Sequence, residues 1–292
     1  MILVLLACAL PELDFNEPPI AGTVEIAPNR PRSDDTIVRL WTPGVDPEGG
    51  VLEHELAWFQ NGVALDVEGD SLGASRLTRG DVIGVYVTAF DGEYQTVWSI
   101  TAEVENALPR INQVEFKPER PTSEDELVLL VKGYDPDGDE LDFRYTWFLD
   151  DAEVQDIDLF VPAERTTRGD IWSVLVEVDD GDEEGAAVLE HVVVHNALPV
   201  VEWVRINSEV EVDKTTGAYV SGVFDNDDDP VTAWVQWRVN NVVVEEDPLW
   251  GEPWTAVLDW PLQRYDEVQA RAWVDDGYGT SEIVESDVET AY

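Results

Sequence analysis

Two acidic loops carry the side chains best suited to binding a metal ion. The loops are Asp135-Pro136-Asp137-Gly138-Asp139 and Asp225-Asn226-Asp227-Asp228-Asp229, with a weaker copy at Asp46-Pro47-Glu48-Gly49-Gly50. Closely spaced carboxylate oxygens in a flexible loop are the ligands that Ca²⁺ prefers. The spacing is not that of an EF-hand, because no glycine at the sixth position and no glutamate at the twelfth is in register. Solvated turns are the competing interpretation, since Asp-Pro-Asp-Gly also favours a turn.

These loops recur because the chain repeats itself about every ninety residues. Pro28–Asp35 returns as Pro118–Asp125, a shift of 118 − 28 = 90, and Asn106–Pro109 returns as Asn196–Pro199. A period of this length indicates one small domain per copy rather than a solenoid unit. The predicted domains are a lipoprotein-type signal and tether at 1–16, repeat 1 at 17–107, repeat 2 at 108–197 and a divergent, tryptophan-rich repeat 3 at 198–292.

Each repeat contains two strands in which apolar and polar residues alternate. Trp58, Trp147 and Trp237 mark the first of these strands, and Ile83–Ala89 and Trp172–Val178 belong to the second. Short strands, frequent turn signals and the lack of a helical period predict antiparallel sandwiches. The predicted fold class is therefore all-β, with three tandem immunoglobulin-like antiparallel β-sandwiches forming an elongated rod.

The middle repeat resembles the tandem Ig-like repeats of bacterial surface proteins, which are akin to PKD and cadherin-like modules. The residues that carry this resemblance are Asn106, Pro109, Pro118, Pro121, Ser123, Asp125, Asp135 to Asp139, Tyr145, Trp147, Arg168 to Asp170 and Asp180-Gly181. It extends over nearly the whole chain after Asn16. The resemblance implies an exported spacer, adhesion or assembly module and not an enzyme. Such motifs specify a fold far better than they specify a partner.

An Ig-like topology predicts where the acidic loops lie. The loop before the core-tryptophan strand and the turn after the second alternating strand emerge at the pole that holds the domain's N-terminus. Several carboxylates at one pole repel each other unless a cation intervenes, so we expect Ca²⁺ there, with bulk counterions as the alternative. The candidate ligands are Asp135, Asp137, Asp139, Asp179, Asp180 and Asp182 in repeat 2, and Asp225, Asp227, Asp229, Asp275 and Asp276 in repeat 3.

The overall charge narrows the classes of partner. The chain has 63 acidic and 17 basic residues and a formal net charge of −46. Nucleic acid is excluded as a partner, because phosphate binding requires clustered lysine and arginine. A hydrophobic content of 44% and 12 tryptophans are too high for a disordered chain. A folded chain of this acidity depends on cations, either in a calcium-containing extracellular medium or in a saline habitat.

The N-terminus indicates export and anchoring. An apolar run, Met1–Ala7, ends at Cys8, the only cysteine of the chain. Leu5-Leu6-Ala7-Cys8 resembles the bacterial lipobox, which implies lipidation of Cys8, although no basic segment precedes the run. The predicted location is the bacterial cell envelope, either anchored in the outer membrane or extracellular.

Two motifs that resemble functional sites have simpler explanations. Arg79-Gly80-Asp81 and Arg168-Gly169-Asp170 spell an integrin-binding tripeptide, but both precede a core strand, where the glycine suits a turn. Gly69–Leu72 matches a lipase signature, yet the chain lacks that family's Asp-x-x-His partner. Without a histidine to remove its proton, Ser71 has no route to nucleophilicity. No catalytic constellation is predicted.

Repeat 3 supplies a second candidate surface. Trp234 and Trp273 have the parity opposite to that of the core residue Trp237, so we expect them on outer faces. Exposed aromatic patches most often mark protein contacts, which favours a protein partner or self-association. Glycan binding by ring stacking is the alternative, although the sequence shows no directing polar cluster beside the rings.

Overall fold

Six antiparallel sheets make up the part of the chain that the computed structural model describes, residues 15–206 and 209–292. The helical segments described there are two 3₁₀ turns, Ala74–Arg76 and Ala163–Arg165. Within those residues no helix has the length and apolar character that crossing a bilayer requires. Cys8 lies outside the described residues.

The first sandwich places a three-stranded sheet against a four-stranded sheet. Its strands are β1 (Val24–Ala27), β2 (Ile37–Trp41), β3 (Glu53–Gln60), β4 (Val63–Leu65), β5 (Ser71–Leu72), β6 (Val82–Phe90) and β7 (Gln95–Glu103). The sheet orders are β1-β2-β5 and β4-β3-β6-β7. The fourth strand thus joins the larger sheet, beside the strand of the core tryptophan.

The second sandwich repeats this arrangement strand for strand. Its strands are β8 (Arg110–Lys117), β9 (Leu127–Tyr134), β10 (Asp142–Leu149), β11 (Ala152–Val154), β12 (Phe160–Val161), β13 (Ile171–Asp179) and β14 (Val188–Val193). The sheet orders are β12-β9-β8 and β11-β10-β13-β14.

The third sandwich keeps the same order with a divided last strand. Its strands are β15 (Trp203–Ile206), β16 (Thr216–Ser221), β17 (Thr232–Val239), β18 (Val242–Leu249), β19 (Thr255–Leu258), β20 (Glu267–Asp275), β21 (Val284–Glu285) and β22 (Glu289–Thr290). The sheet orders are β15-β16-β19 and β18-β17-β20-β21, and β22 also pairs with β20. The prediction of an all-β chain of three tandem Ig-like sandwiches is confirmed.

One tryptophan on the third strand of each sandwich fills its core. Trp58, Trp147 and Trp237 are 0%, 1% and 1% exposed, and the strand beside each contributes a row of buried residues. The Trp58 indole Nε1 donates a hydrogen bond to the Gly69 carbonyl at 3.2 Å, and the Trp147 Nε1 donates one to the Asp158 carbonyl at 3.0 Å. These two core indoles therefore have a partner for their only polar atom, as buried tryptophans usually do.

Contacts between residues divide the chain into two compact units. The first contains the described residues up to Ile111 together with Gly133–Phe143 and Val178–Ala186. The second contains Asn112–Lys132, Arg144–Glu177 and Ala187–Tyr292. The acidic end of the second sandwich thus belongs to the unit of the first sandwich. The acidic end of the third sandwich belongs to the unit that holds most of the second.

Candidate functional site

In the first unit, the acidic loop and the acidic turn of the second sandwich meet at one pole. We call Asp135–Asp139 with Asp179–Asp182 the second acidic pole. The Asn106 side-chain amide donates to Asp180 Oδ2 at 2.8 Å, and the Ala107 backbone N–H donates to Asp137 Oδ2 at 2.8 Å. The incoming linker is therefore held by both segments of the pole.

Two arginines of the first sandwich bind carboxylates at this pole and at the neighbouring Glu183. Arg79 Nη1 donates to Asn106 Oδ1 and to Asp139 Oδ2, each at 3.0 Å, and Nη2 donates to Asp182 Oδ2 at 2.5 Å. Arg32 binds Glu183 through both terminal nitrogens, at 2.5 Å and 3.1 Å. An arginine provides several donors in a fixed planar fork, which suits it to carboxylates converging from different segments.

The second unit contains an equivalent junction. The third acidic pole consists of Asp225–Asp229 with Asp275 and Asp276. Asn196 donates to Asp276 Oδ2 and the Ala197 N–H donates to Asp227 Oδ2, both at 2.8 Å. These bonds reproduce those of Asn106 and Ala107 at the second acidic pole.

The arginine of this junction uses one ion pair and one ring contact. Arg168 Nη2 donates to Asp229 Oδ1 at 2.8 Å. Its guanidinium carbon lies 3.7 Å from the centroid of the Tyr278 ring. Tyr278 stands at the position that Asp182 occupies in the second acidic pole. The junction therefore replaces one carboxylate with an aromatic face, which also attracts a cation.

The carboxyl groups of Asp180 and Asp276, in the turns of the two poles, are held in their charged form. Burial alone raises the pKa of Asp180, but hydrogen bonds from the Glu183 amide and the Asn106 side chain outweigh it, so its pKa lies below the ordinary value. The pKa of Asp276 is lowered in the same way, with Asn196 as the side-chain donor against burial. Because the pKa of each carboxyl is lower in the folded state, its ionised form stabilises the fold, and this contribution is complete above the unfolded-state pKa. The contribution is lost as the pH falls through the folded-state pKa.

The third acidic pole keeps carboxylate oxygens that no donor satisfies. Asp225, Asp227 and Asp229 each offer one oxygen, and these three atoms lie within 4.8 Å of one another. Asp225 Oδ2, Asp227 Oδ1, Asp229 Oδ2 and Asn196 Oδ1 are buried and lack a hydrogen-bond partner. Buried polar atoms in native proteins are nearly always partnered, directly or by water or an ion. An oxygen-only set of this kind has the chemistry of a Ca²⁺ site.

The other predicted ligands are held in different contacts. At the second acidic pole, Asp139 and Asp182 bind Arg79. Among the described residues of this pole, Asp135 Oδ2 is the one carboxylate oxygen that is buried without a hydrogen-bond partner. Asp179 and Asp275 accept the amides of Gly181 and Gly277, at 2.7 Å and 2.9 Å.

The two Arg-Gly-Asp segments are turns with an additional role that the sequence did not reveal. Gly80 and Gly169 have φ values of +84° and +94°, a conformation that glycine adopts without strain. The arginines beside them, however, form the junctions. The signal that could have identified Arg79 and Arg168 is their return at one position of the repeat in a chain so short of basic residues.

The predicted outward tryptophans lie side by side on the face of the third sandwich. Trp234 and Trp273 are paired across β17 and β20, with parallel rings (1° between planes) and centroids 6.2 Å apart. Trp250, 79% exposed, lines the same depression. Polar side chains that the sequence did not place there also line it: Thr232, Glu246 and Asp275.

No protein-family model matches the chain, and no curated protein matches it significantly. Among solved structures, it is similar to titin domains A168-A170, with 14% identity over 94% of this chain and 100% of that one and a TM-score of 0.42. The N-terminal eight Ig domains of Down Syndrome Cell Adhesion Molecule give 13% identity over 93% and 36% of the two chains and a TM-score of 0.43. Three N-terminal domains of the bacteriophage RB49 Highly Immunogenic Outer Capsid protein give 14% identity, 93% and 97% coverage and a TM-score of 0.30. The Ig-like assignment rests on the strand orders themselves.

Proposed function

We propose that the chain is an exported or surface-anchored structural protein for adhesion or assembly, in which Ca²⁺ stiffens the junction at the third acidic pole. Tandem Ig-like sandwiches support a structural or adhesive role. Ser71, the serine of the lipase-like motif, lies on the short strand β5, in the segment that accepts the bond from the Trp58 indole. We therefore assign it to the sandwich and not to catalysis.

The unsatisfied oxygens of the third acidic pole carry the calcium proposal. Arg168 occupies Asp229 Oδ1, which leaves Asp229 Oδ2 and the free oxygens of Asp225 and Asp227 for a second cation. A divalent ion offsets more of the mutual repulsion than one guanidinium can, since three carboxylates carry three charges. The second acidic pole, with Arg79 bound by two carboxylates, needs such an ion less.

Site-directed removal of one ligand charge tests this proposal. Ca²⁺ should raise the melting temperature of the native chain more than Mg²⁺ at equal ionic strength, with a Kd of about 10⁻⁴ to 10⁻³ M, as in extracellular modules. Asp227→Asn should remove this difference, because it deletes a ligand charge without changing the side-chain shape. Differential scanning calorimetry measures both effects.

Asp228→Asn is the matched control for that experiment. Asp228 is in the same loop and carries the same charge, but it is exposed and outside the cluster of three. The control variant should keep the full calcium response. Equal stabilisation by Ca²⁺ and Mg²⁺, or an Asp227→Asn variant that responds like the native chain, would leave bulk counterions as the explanation.

Anchoring by a lipid on Cys8 completes the proposal. The lipobox-like Leu5-Leu6-Ala7-Cys8 supports it, and Ala9–Asn16 would then tether the first sandwich within about 30 Å of the membrane. Intact-mass analysis of protein from its native host should show a diacylglyceryl adduct on a chain that lacks Met1–Ala7. An unmodified chain beginning at Met1 contradicts lipid anchoring and leaves the junction proposal untouched.

Glycan binding is the second candidate function, favoured by the parallel rings of Trp234 and Trp273. Sugar rings stack on aromatic faces and need nearby polar groups for orientation. Thr232, Glu246 and Asp275 line the same depression as the rings, which supports the proposal. A protein partner could use the same rings through apolar contact.

Truncation of the exposed ring separates this candidate from a purely structural role. Trp250→Ala should weaken binding to soluble oligosaccharides by at least about tenfold, since exposed aromatic anchors carry much of the energy of such contacts. Trp260→Ala, which removes another exposed ring outside the depression, is the control and should bind normally. Fluorescence titration against an oligosaccharide panel measures both. Absence of binding by the native chain, or equal binding by the Trp250 variant, rejects glycan recognition at this site.

A further inference from the structure

The third sandwich contains the arginine turn that forms the junctions of the first two. The three turns are Thr78–Asp81, Thr167–Asp170 and Gln263–Asp266. In each turn, the fourth residue's carboxylate accepts the first residue's backbone N–H, at 2.9, 2.8 and 2.7 Å. The third residue's N–H donates to the backbone carbonyl of the residue that follows the sandwich's last strand, at 2.8, 2.9 and 2.7 Å. These acceptors are Val104, Val194 and Ala291. Arg264 is therefore the structural equivalent of Arg79 and Arg168.

Arg79 and Arg168 each form ion pairs, whereas Arg264 forms none within the described residues. Its guanidinium carbon lies 5.3 Å from the ring centroid of its neighbour, Tyr265. Tyr265 is 71% exposed and has φ +73° at the position where the other turns have glycine. A bulky residue in the left-handed region is a strained feature that clusters at functional sites. An exposed arginine and an exposed aromatic ring thus form one surface.

The first sandwich has an acidic pole built to receive such an arginine. The first acidic pole consists of Asp46–Gly50 with Asp91–Glu93. Asn16 donates to Asp91 Oδ2 and the Glu17 N–H donates to Glu48 Oε2, each at 3.3 Å. These bonds correspond to those that Asn106 and Ala107 make at the second acidic pole. In the described part of the chain, no ion pair joins an arginine to this pole.

Glu93 is the carboxylate of the first acidic pole whose position matches that of an arginine ligand. It stands where Asp182 stands in the second acidic pole, and Asp182 binds Arg79 at 2.5 Å. The other arginine ligand of that pole, Asp139, is replaced here by Gly50. The first acidic pole therefore offers fewer carboxylate ligands, which predicts a weaker contact than the junctions within the chain.

We propose that the Arg264–Tyr265 surface docks on the first acidic pole of a second copy of this chain, with Arg264 bound to Glu93. The contact is heterologous, because two different surfaces of the same protein meet, and it can add copies one after another. This inference rests on the proposed structural function and names its partner.

Salt has two opposite effects on such a contact. Two chains of net charge −46 repel at long range, and salt at about 0.15 M screens that repulsion beyond about 8 Å. The arginine–carboxylate contact acts at short range and is screened less. We therefore expect association to be strongest near this ionic strength and to weaken both at lower and at much higher salt.

Sedimentation velocity of the full chain over a concentration series tests the proposal. The native chain should show reversible self-association below about 1 mM at about 0.15 M salt. Arg264→Glu should weaken it at least about tenfold, because like charges would face each other. Glu93→Arg should do the same. The double variant with both changes should associate again, since the charges are exchanged.

Lys132→Glu provides the control for Arg264→Glu, because it changes the net charge by the same amount and sign at an exposed site on β9, outside the proposed contact. It should associate like the native chain. A native chain that stays monomeric, an Arg264→Glu variant that associates normally, or a double variant that does not recover would each overturn the inference. A monomeric chain that still shows the calcium-specific stabilisation of the third acidic pole would end the inference alone and leave the proposed function intact.

Discussion

The structure depends on one recurring contact, in which an arginine of one sandwich binds carboxylates of the following one. A chain with a net charge of −46 repels itself, and repulsion is strongest where acidic loops converge. Arg79 and Arg168 lie at those points. The contact thus attaches neighbouring sandwiches at points where acidic loops converge. Surface ion pairs contribute little singly, but a planar fork shared among several ligands also fixes orientation.

The two junctions differ in how completely they are neutralised. Arg79 binds Asp139, Asp182 and the side-chain amide oxygen of Asn106 together. Arg168 instead divides its contacts between Asp229 and the Tyr278 ring, and Asn196 Oδ1, the counterpart of the Asn106 oxygen that Arg79 binds, keeps no donor. One substitution at the turn, a tyrosine where the other pole has an aspartate, thus accompanies a pole with unpartnered oxygens. The calcium proposal is specific to the third acidic pole because three of its carboxylates each keep a buried oxygen without a donor.

The sequence predicted the fold well because burial in a sandwich follows a period of two residues. The alternation at Ile83–Ala89 and the tryptophans at one repeat position identified the core strands directly. The junction arginines could not be identified in this way. Arg168 binds a carboxylate 61 residues further along the chain, and no local pattern connects them. The third turn was also hidden, because Tyr265 replaces the glycine that marks the other two.

A double-mutant cycle between Arg168 and Asp229 measures the central contact most directly. Arg168→Ala, Asp229→Ala and the double variant are compared with the native chain by thermal unfolding in calcium-free buffer at one ionic strength. If the two side chains stabilise the junction by contacting each other, the double variant should be no less stable than the less stable of the two single variants. Fully additive losses in the double variant would show that the two residues act independently, and would contradict the account.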